Sequence, residues 1–174
     1  VRGRNYPFVE GGVSTYSEVY SHKTNYVLGK LKAPGFCSIS DDSLGKWDQL
    51  ALQLSNQAEI KVCDLDWQSL LSNAHEIHQT IYDKSLAYYF RQELSDVQFI
   101  SPIFQEIVDR SREISPDMYF SALSEQENLT AKVSQAFGEN DFLFLPTTAG
   151  EAPNLESVEL TDSSLIWTLL GFPM

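Results

Sequence analysis

Basic residues are scarce in this chain: 12 Lys and Arg stand against 24 Asp and Glu, a formal charge of −12 over 174 residues. The cations are scattered singly or in pairs, which argues against a phosphate-binding surface, because such surfaces need clustered Lys and Arg. No nucleic-acid partner is expected. Cysteine is equally sparse. Cys37 and Cys63 are the only two, too few for a disulfide framework, and both sit in apolar settings as small buried thiols do. No apolar run approaches the ~18 residues of a membrane-spanning helix, so no membrane partner is expected. A basic-then-apolar leader is also missing, and cytoplasmic residence is the default expectation.

What is present describes a globular protein. An apolar content of 43% with 12% aromatics lies well above the range of disordered chains. A length of 174 residues suits one domain with a sizeable core. The sequence opens on Val1 and stops on Gly171-Phe-Pro-Met174 without a taper. The expectation is therefore a single, incomplete domain over 1–174, part of a longer chain.

The order of elements is read from period and punctuation. Val1 to Gly12 reads as coil. Tyr16, Val19, Tyr20, Val27 and Leu28 recur at helical spacing behind a Ser14 cap, and Ala33-Pro-Gly35 ends that segment. Phe36 to Ser40 suits a short strand. Asp41, Asp42 and Ser43 are expected to cap a helix with Leu44, Trp47, Ala51 and Leu54 on one face. Ala58 to Cys63 alternates as a strand. Asp64 or Asp66 then caps the longest expected helix, Trp67 to Gln92, with Leu70, Leu71, Ala74, Ile77, Ile81 and Leu86 along it.

Ser101-Pro102 and Ser115-Pro116 each open a helix in the cap-then-proline manner. The first turns Ile103, Phe104, Ile107 and Val108 inward, and the second runs to about Phe137, where Gly138 stops it. An unalternating run from Phe142 to Leu145 predicts a strand covered on both faces, and a last helix spans Ser163 to Leu170. Strand and helix alternate, so the fold class is α/β.

Several patterns imitate sites. Ser43-Leu-Gly-Lys46 matches the Ser-x-x-Lys pattern of penicillin-binding proteins, yet four residues with two free positions carry little information, and Ser43 reads as a cap. In His75-Glu-Ile-His78 the second histidine falls one place short of a zinc-binding His-Glu-x-x-His, so these read as helix-surface histidines. Asn128-Leu-Thr130 fits a glycosylation triplet but lies in a helical stretch. Tyr82, Tyr88, Tyr89 and Phe90 read as core packing or as contact with a missing part. No metal and no cofactor is expected.

The most informative stretch is Asp141-Phe-Leu-Phe-Leu-Pro-Thr-Thr-Ala-Gly-Glu-Ala-Pro153, followed by Thr161-Asp-Ser-Ser-Leu-Ile-Trp-Thr-Leu-Leu-Gly-Phe-Pro173. Pro146 stops a strand, and Thr147, Thr148 and Gly150 leave its carboxyl end, the edge where open α/β sheets bind ligands. This order and spacing resemble the late region of the amidase signature family. Members there have an apolar strand, Pro-(Ala/Thr), a small-residue loop ending in Ala-Pro, a Thr-Gly-Asp-like turn and a helix with Trp-Thr. Thr161-Asp162 lacks the intervening glycine.

The resemblance implies a partial amidase-signature-like mixed sheet with long flanking helices, and amide hydrolysis through an acyl-serine in the complete enzyme. It also implies that the Gly/Ser-rich nucleophile loop, relay serine and lysine lie before Val1, since Gly11-Gly12 has no serine run. No residue here is expected to be catalytic. Thr147, Thr148, Ala149, Gly150, Thr161 and Asp162, with Trp167 behind them, are expected to wall the pocket for a small amide. The rival expectation is a non-catalytic amidase-like module that binds a partner. A severed half is expected to expose a broad apolar face with an unpaired sheet edge, open to association, whereas a self-sufficient module is expected to have that face covered or to form a homodimer through it.

Overall fold

A computed structural model describes residues 24–95, 100–155, 157 and 160–173. The expected coil and helix before Thr24 lie outside the described residues. From there the chain runs β1 (Tyr26–Leu31), α1 (Asp41–Ser55), β2 (Ile60–Leu65), α2 (Ala74–Tyr89), a 3-10 turn (Glu93–Ser95), α3 (Pro102–Glu113), α4 (Pro116–Phe137), β3 (Phe142–Phe144) and α5 (Ser164–Leu170). The fold is α/β. Its three described strands lie in the order β2-β1-β3, and both pairings are parallel, Leu28 standing opposite Val62 on one side and Phe142 on the other. Within the described residues the expected mixed sheet is therefore parallel.

Strand alternation sorts the two faces. On one, Leu31 is fully buried in a core built with Leu71, Ala74 and Ile77, with Leu129 and Val133 of α4, and with Ile166 and Leu170 of α5. Helices α2, α4 and α5 pack on one another to form that layer. Gly29 faces the same way, and a Cβ there would lie 2.5 Å from Leu65 Cδ1 and 3.1 Å from Leu143 Cδ2. Only hydrogen lets the neighbouring strands' leucines close over the central strand. The other face carries Lys30, whose ammonium lies 4.5 Å from the Trp47 ring. Trp47 in turn meets Phe144 at 6.1 Å. Helix α1 is the second layer.

The two Ser-Pro helices form as expected. Ser101 Oγ accepts from Phe104 N–H and Ser115 Oγ from Met118 N–H, each with proline in the first turn. Gly138 ends α4 at a φ of 55°, a left-handed value that glycine adopts without penalty.

Other expectations need correction. Val27 and Leu28 belong to the central strand, where pairing on both sides overrides a weak helical period. Phe36 to Ser40 forms no strand: Gly35 and Phe36 make a turn, and Cys37 to Ser40 are irregular. Ser40, not the Asp41–Ser43 group, is the N-cap of α1, its Oγ accepting from Ser43 N–H at 3.2 Å. Helix α2 begins only at Ala74, because Asp66 Oδ1 takes Gln68 N–H at 3.0 Å and starts the chain as turns. Helix α4, with 22 residues, is longer. Ile103 points outward at 73% exposure, and Phe142, on an edge strand of the described sheet, is 55% exposed rather than covered. Tyr82, Tyr88, Tyr89 and Phe90 are exposed and are not core.

Candidate functional site at the carboxyl edge of the sheet

Parallel pairing puts the carboxyl ends of all three described strands on one edge of the sheet. The segment after β1, residues 32–40, and the segment after β3, residues 145–150, leave that edge side by side. Two backbone bonds join them to each other and to the approach to α5. Ser40 N–H donates to the Ala149 carbonyl at 2.8 Å, and Ser38 N–H donates to the Thr161 carbonyl at 3.0 Å. Residues 109 positions or more apart in sequence thus form one surface.

Each expected site residue has a definite place in it. Thr147 and Thr148 are exposed on the loop, and Thr148 Oγ1 donates to the Gly150 carbonyl at 3.4 Å. Ala149 and Gly150 are half-buried. A Cβ on Gly150 would come within 3.2 Å of Ser40 Oγ, so the glycine permits the two loops to approach this closely. Thr161 takes part through its carbonyl. Asp162 Oδ1 accepts from Ser164 N–H at 2.9 Å and from Ser164 Oγ at 2.5 Å. Asp162 therefore takes the first N–H of α5 from one place before the cap position, which Ser163 occupies. Trp167 is not at the surface with the others. It is 5% exposed within the core, with its ring 6.4 Å from Phe172 in an edge-on contact.

Three serines outside the expected pocket wall hold this edge together. Ser163 is completely buried, and its hydroxyl donates to the Pro146 carbonyl, tying α5 to the end of the β3 loop. Its replacement by alanine strands that carbonyl and is expected to cost about 1–3 kcal/mol in a urea melt. Ser40 and Ser43 share a hydroxyl bond of 2.9 Å beside Gly150. A run of hydroxyl residues after an acidic one, as in Thr161-Asp-Ser-Ser164, was the available signal for Ser163; nothing local marks Ser40 as a neighbour of Gly150.

Cys37 lies on the same edge. Burial pushes its thiol up to about 11, and the negative charge of Asp162 adds to the rise. The thiolate is the reactive form, so at pH 8 only about one molecule in a thousand would carry it at this position. Alkylation of Cys37 by iodoacetamide at pH 8 is expected to be far slower than in the urea-unfolded chain, and mass spectrometry of timed samples checks this. The linkage has a sign: the thiol binds its proton more tightly folded than unfolded, so its contribution is intact below pH 9 and is lost as pH rises towards 11.

The imitating patterns dissolve on inspection. Lys46 is paired to Asp42 at 2.6 Å, and that hydrogen bond raises its pKa, the wrong direction for a base acting on Ser43. His75 packs on Phe36 and His78 stacks on Tyr82. Among the described residues no group of three or more His, Cys, Asp and Glu could hold a metal ion.

Solved structures share this fold. A crystal structure of an amidase superimposes with a TM-score of 0.73 at 21% identity, covering 85% of this chain and 37% of the amidase. The fold is amidase-like. Kluyveromyces lactis allophanate hydrolase matches with a TM-score of 0.62 at 15% identity over 78% of this chain and 22% of its own. The urea amidolyase of the same yeast gives 0.60 at 14% identity, over 78% of this chain and 8% of its own. The amidase-like chain thus spans well under two thirds of each of these proteins, and at such identities the likeness concerns fold alone. No protein-family model matches the sequence, and neither does any curated protein.

Proposed function

We propose that this chain is the C-terminal part of an amidase-signature hydrolase and supplies the scaffold and one wall of the pocket for a small amide. The observation carrying this reading is the joined pair of loops at the carboxyl edge of the parallel sheet, on a fold that aligns with an amidase over 85% of the chain. That edge is where open α/β sheets receive ligands.

In the complete enzyme a serine, activated by a base, attacks the amide carbonyl and forms an acyl-enzyme that water then hydrolyses. That serine and its base lie outside 1–174. The role of this chain is to bind and orient. Thr147 and Thr148 offer hydroxyls to the amide or to a carboxylate of the substrate, and Ala149 and Gly150 leave room for close approach. Thr161 and Asp162 fix the opposite side of the loop. Trp167 supports them from within the core and does not touch substrate.

Alone, the chain is inactive in this reading. Incubation with a fluorophosphonate probe is expected to label no serine of 1–174, and stable labelling of any one would defeat it. The transcript upstream of the Val1 codon decides between this role and the other. A Gly/Ser-rich stretch preceded by a lysine is expected, whereas a start codon immediately before Val1 would leave no nucleophile.

The second reading is a non-catalytic amidase-like module that binds a partner or a second copy, and it requires the apolar surface to be covered. Leu50 and Leu52 on α1 are 44% and 65% exposed, beside a sheet of only three described strands. Open edges and exposed leucines invite association. Cytoplasmic residence belongs to both readings, and no helix among the described residues is long and apolar enough to cross a membrane.

A further inference from the structure

Far from the sheet edge in sequence, the carboxyl end of α2 and the first turns of α4 enclose a second concavity. It is a groove of about 340 Å³ lined by Lys84, Ser85, Tyr88, Tyr89, Tyr119 and Phe120, together with Pro116. It shares no residue with the candidate pocket wall. The spacing explains the lining: Lys84 with Tyr88, and Ser85 with Tyr89, stand four apart on α2, and Pro116 stands three and four before Tyr119 and Phe120 on α4, so each set shares a helix face.

The walls are aromatic. Tyr88 and Tyr89 meet edge-on at 5.5 Å, as do Tyr119 and Phe120 at 5.9 Å. Tyr88, Tyr89 and Phe120 are each more than 60% exposed, so this apolar surface is left to water. The polar groups are few. Ser85 Oγ and Tyr119 Oη lie 3.2 Å apart; one hydroxyl donates to the other, which leaves one hydroxyl hydrogen free. Lys84 Nζ donates to the carbonyls of Ser111 at 3.1 Å and Ile114 at 2.5 Å. An ammonium has three N–H groups, and both recorded acceptors are neutral.

Aromatic walls with one cation and one free hydroxyl donor are the lining of a small-molecule site. The geometry points to a groove that binds a free monocarboxylate bearing an aromatic ring. The ring lies against Tyr88, Tyr89 and Phe120, and the carboxylate accepts from Lys84 and from the Ser85–Tyr119 pair. Charge selects the acid: the third N–H of an ammonium bonds a carboxylate more strongly than it bonds a neutral group. Volume selects the size. A groove near the lower bound of ligand pockets takes a single ring on a short arm rather than a long acyl chain.

The test is calorimetric titration of the full chain with 3-phenylpropionate. Saturable binding is expected, and the uncharged analogue 3-phenylpropan-1-ol is expected to bind about tenfold more weakly for want of the charge-assisted bonds. Lys84→Met should weaken the acid by about the same factor. Because Lys84 also holds two helix-end carbonyls, that variant could fail to fold, so Phe120→Ser at an exposed position is the companion, with an expected loss of about three- to tenfold from the lost ring contact. Absence of saturable binding would overturn the proposal. So would equal affinity for acid and alcohol, or full retention of affinity in Phe120→Ser. Binding of a phenylalanine-containing peptide where the free acid fails would make the groove a protein-docking surface and overturn it equally.

Discussion

Replacing Arg110 with methionine is expected to destabilise the protein by about 3 kcal/mol, the lower end of the cost of stranding a buried charge. Asp83 is 1% exposed in the middle of α2. Arg110 on α3 reaches it with two bonds, Nε to Oδ2 at 2.7 Å and Nη2 to Oδ1 at 3.2 Å. This bidentate pairing raises the Arg110 pKa, chiefly through the hydrogen bond to Asp83 and against the opposing effect of burial. The arginine side chain is itself 44% exposed, so water can partly replace it once it is gone, and the upper end of the range is not reached. A double variant, Arg110→Met with Asp83→Leu, should recover much of the loss, since a buried pair exchanged for apolar groups is often near neutral. Urea melts of the three proteins check this. If the single variant melts like the wild type, the pair adds nothing to the hold on α3, which then rests on Lys84 and on contacts such as Phe90 with Phe104.

The second large effect concerns Trp167, the one expected site residue that the fold places in the core. Trp167→Ala is expected to cost about 3–5 kcal/mol, the usual range for emptying a large aromatic site. Trp167→Phe should cost much less. Its indole Nε1 is buried with no hydrogen-bond partner among the described residues, and phenylalanine removes that polar group along with some volume. Were Trp167 a substrate contact instead, its exchange for phenylalanine would leave stability alone and change activity in the complete enzyme. Thermal melts of both variants separate the two roles: a core role gives a large drop for alanine and a small one for phenylalanine.

The same contrast runs through the fold. Ser101-Pro102 and Ser115-Pro116 announced α3 and α4 because a capping hydroxyl and a proline act within one turn and need no distant partner. Gly138 as a helix stop was legible for the same reason. The strand at Phe142 and the loop from Thr147 to Gly150 were legible from an apolar run broken by Pro146. In contrast, Val27 and Leu28 carry a helical spacing that the structure ignores, because β1 is paired on both sides and its conformation is settled by strands more than 30 residues away. Helix α2 was overextended because Asp66 looks like a helix cap and instead seeds a turn.

Sequence by itself determined the alternation of strands and helices, the Ser-Pro helix starts, and the place of the Thr147–Gly150 and Thr161–Asp162 segments at a strand end and a helix start. Each of these rests on interactions spanning a few residues. Tertiary structure alone decided that Ser38 and Ser40 join those segments, that Ser163 locks Pro146, that Trp167 lies inside, and that Tyr88, Tyr89 and Phe120 stand outside around a groove. Those outcomes depend on which helix covers which face of the sheet, and a residue's own neighbours in the chain do not record that.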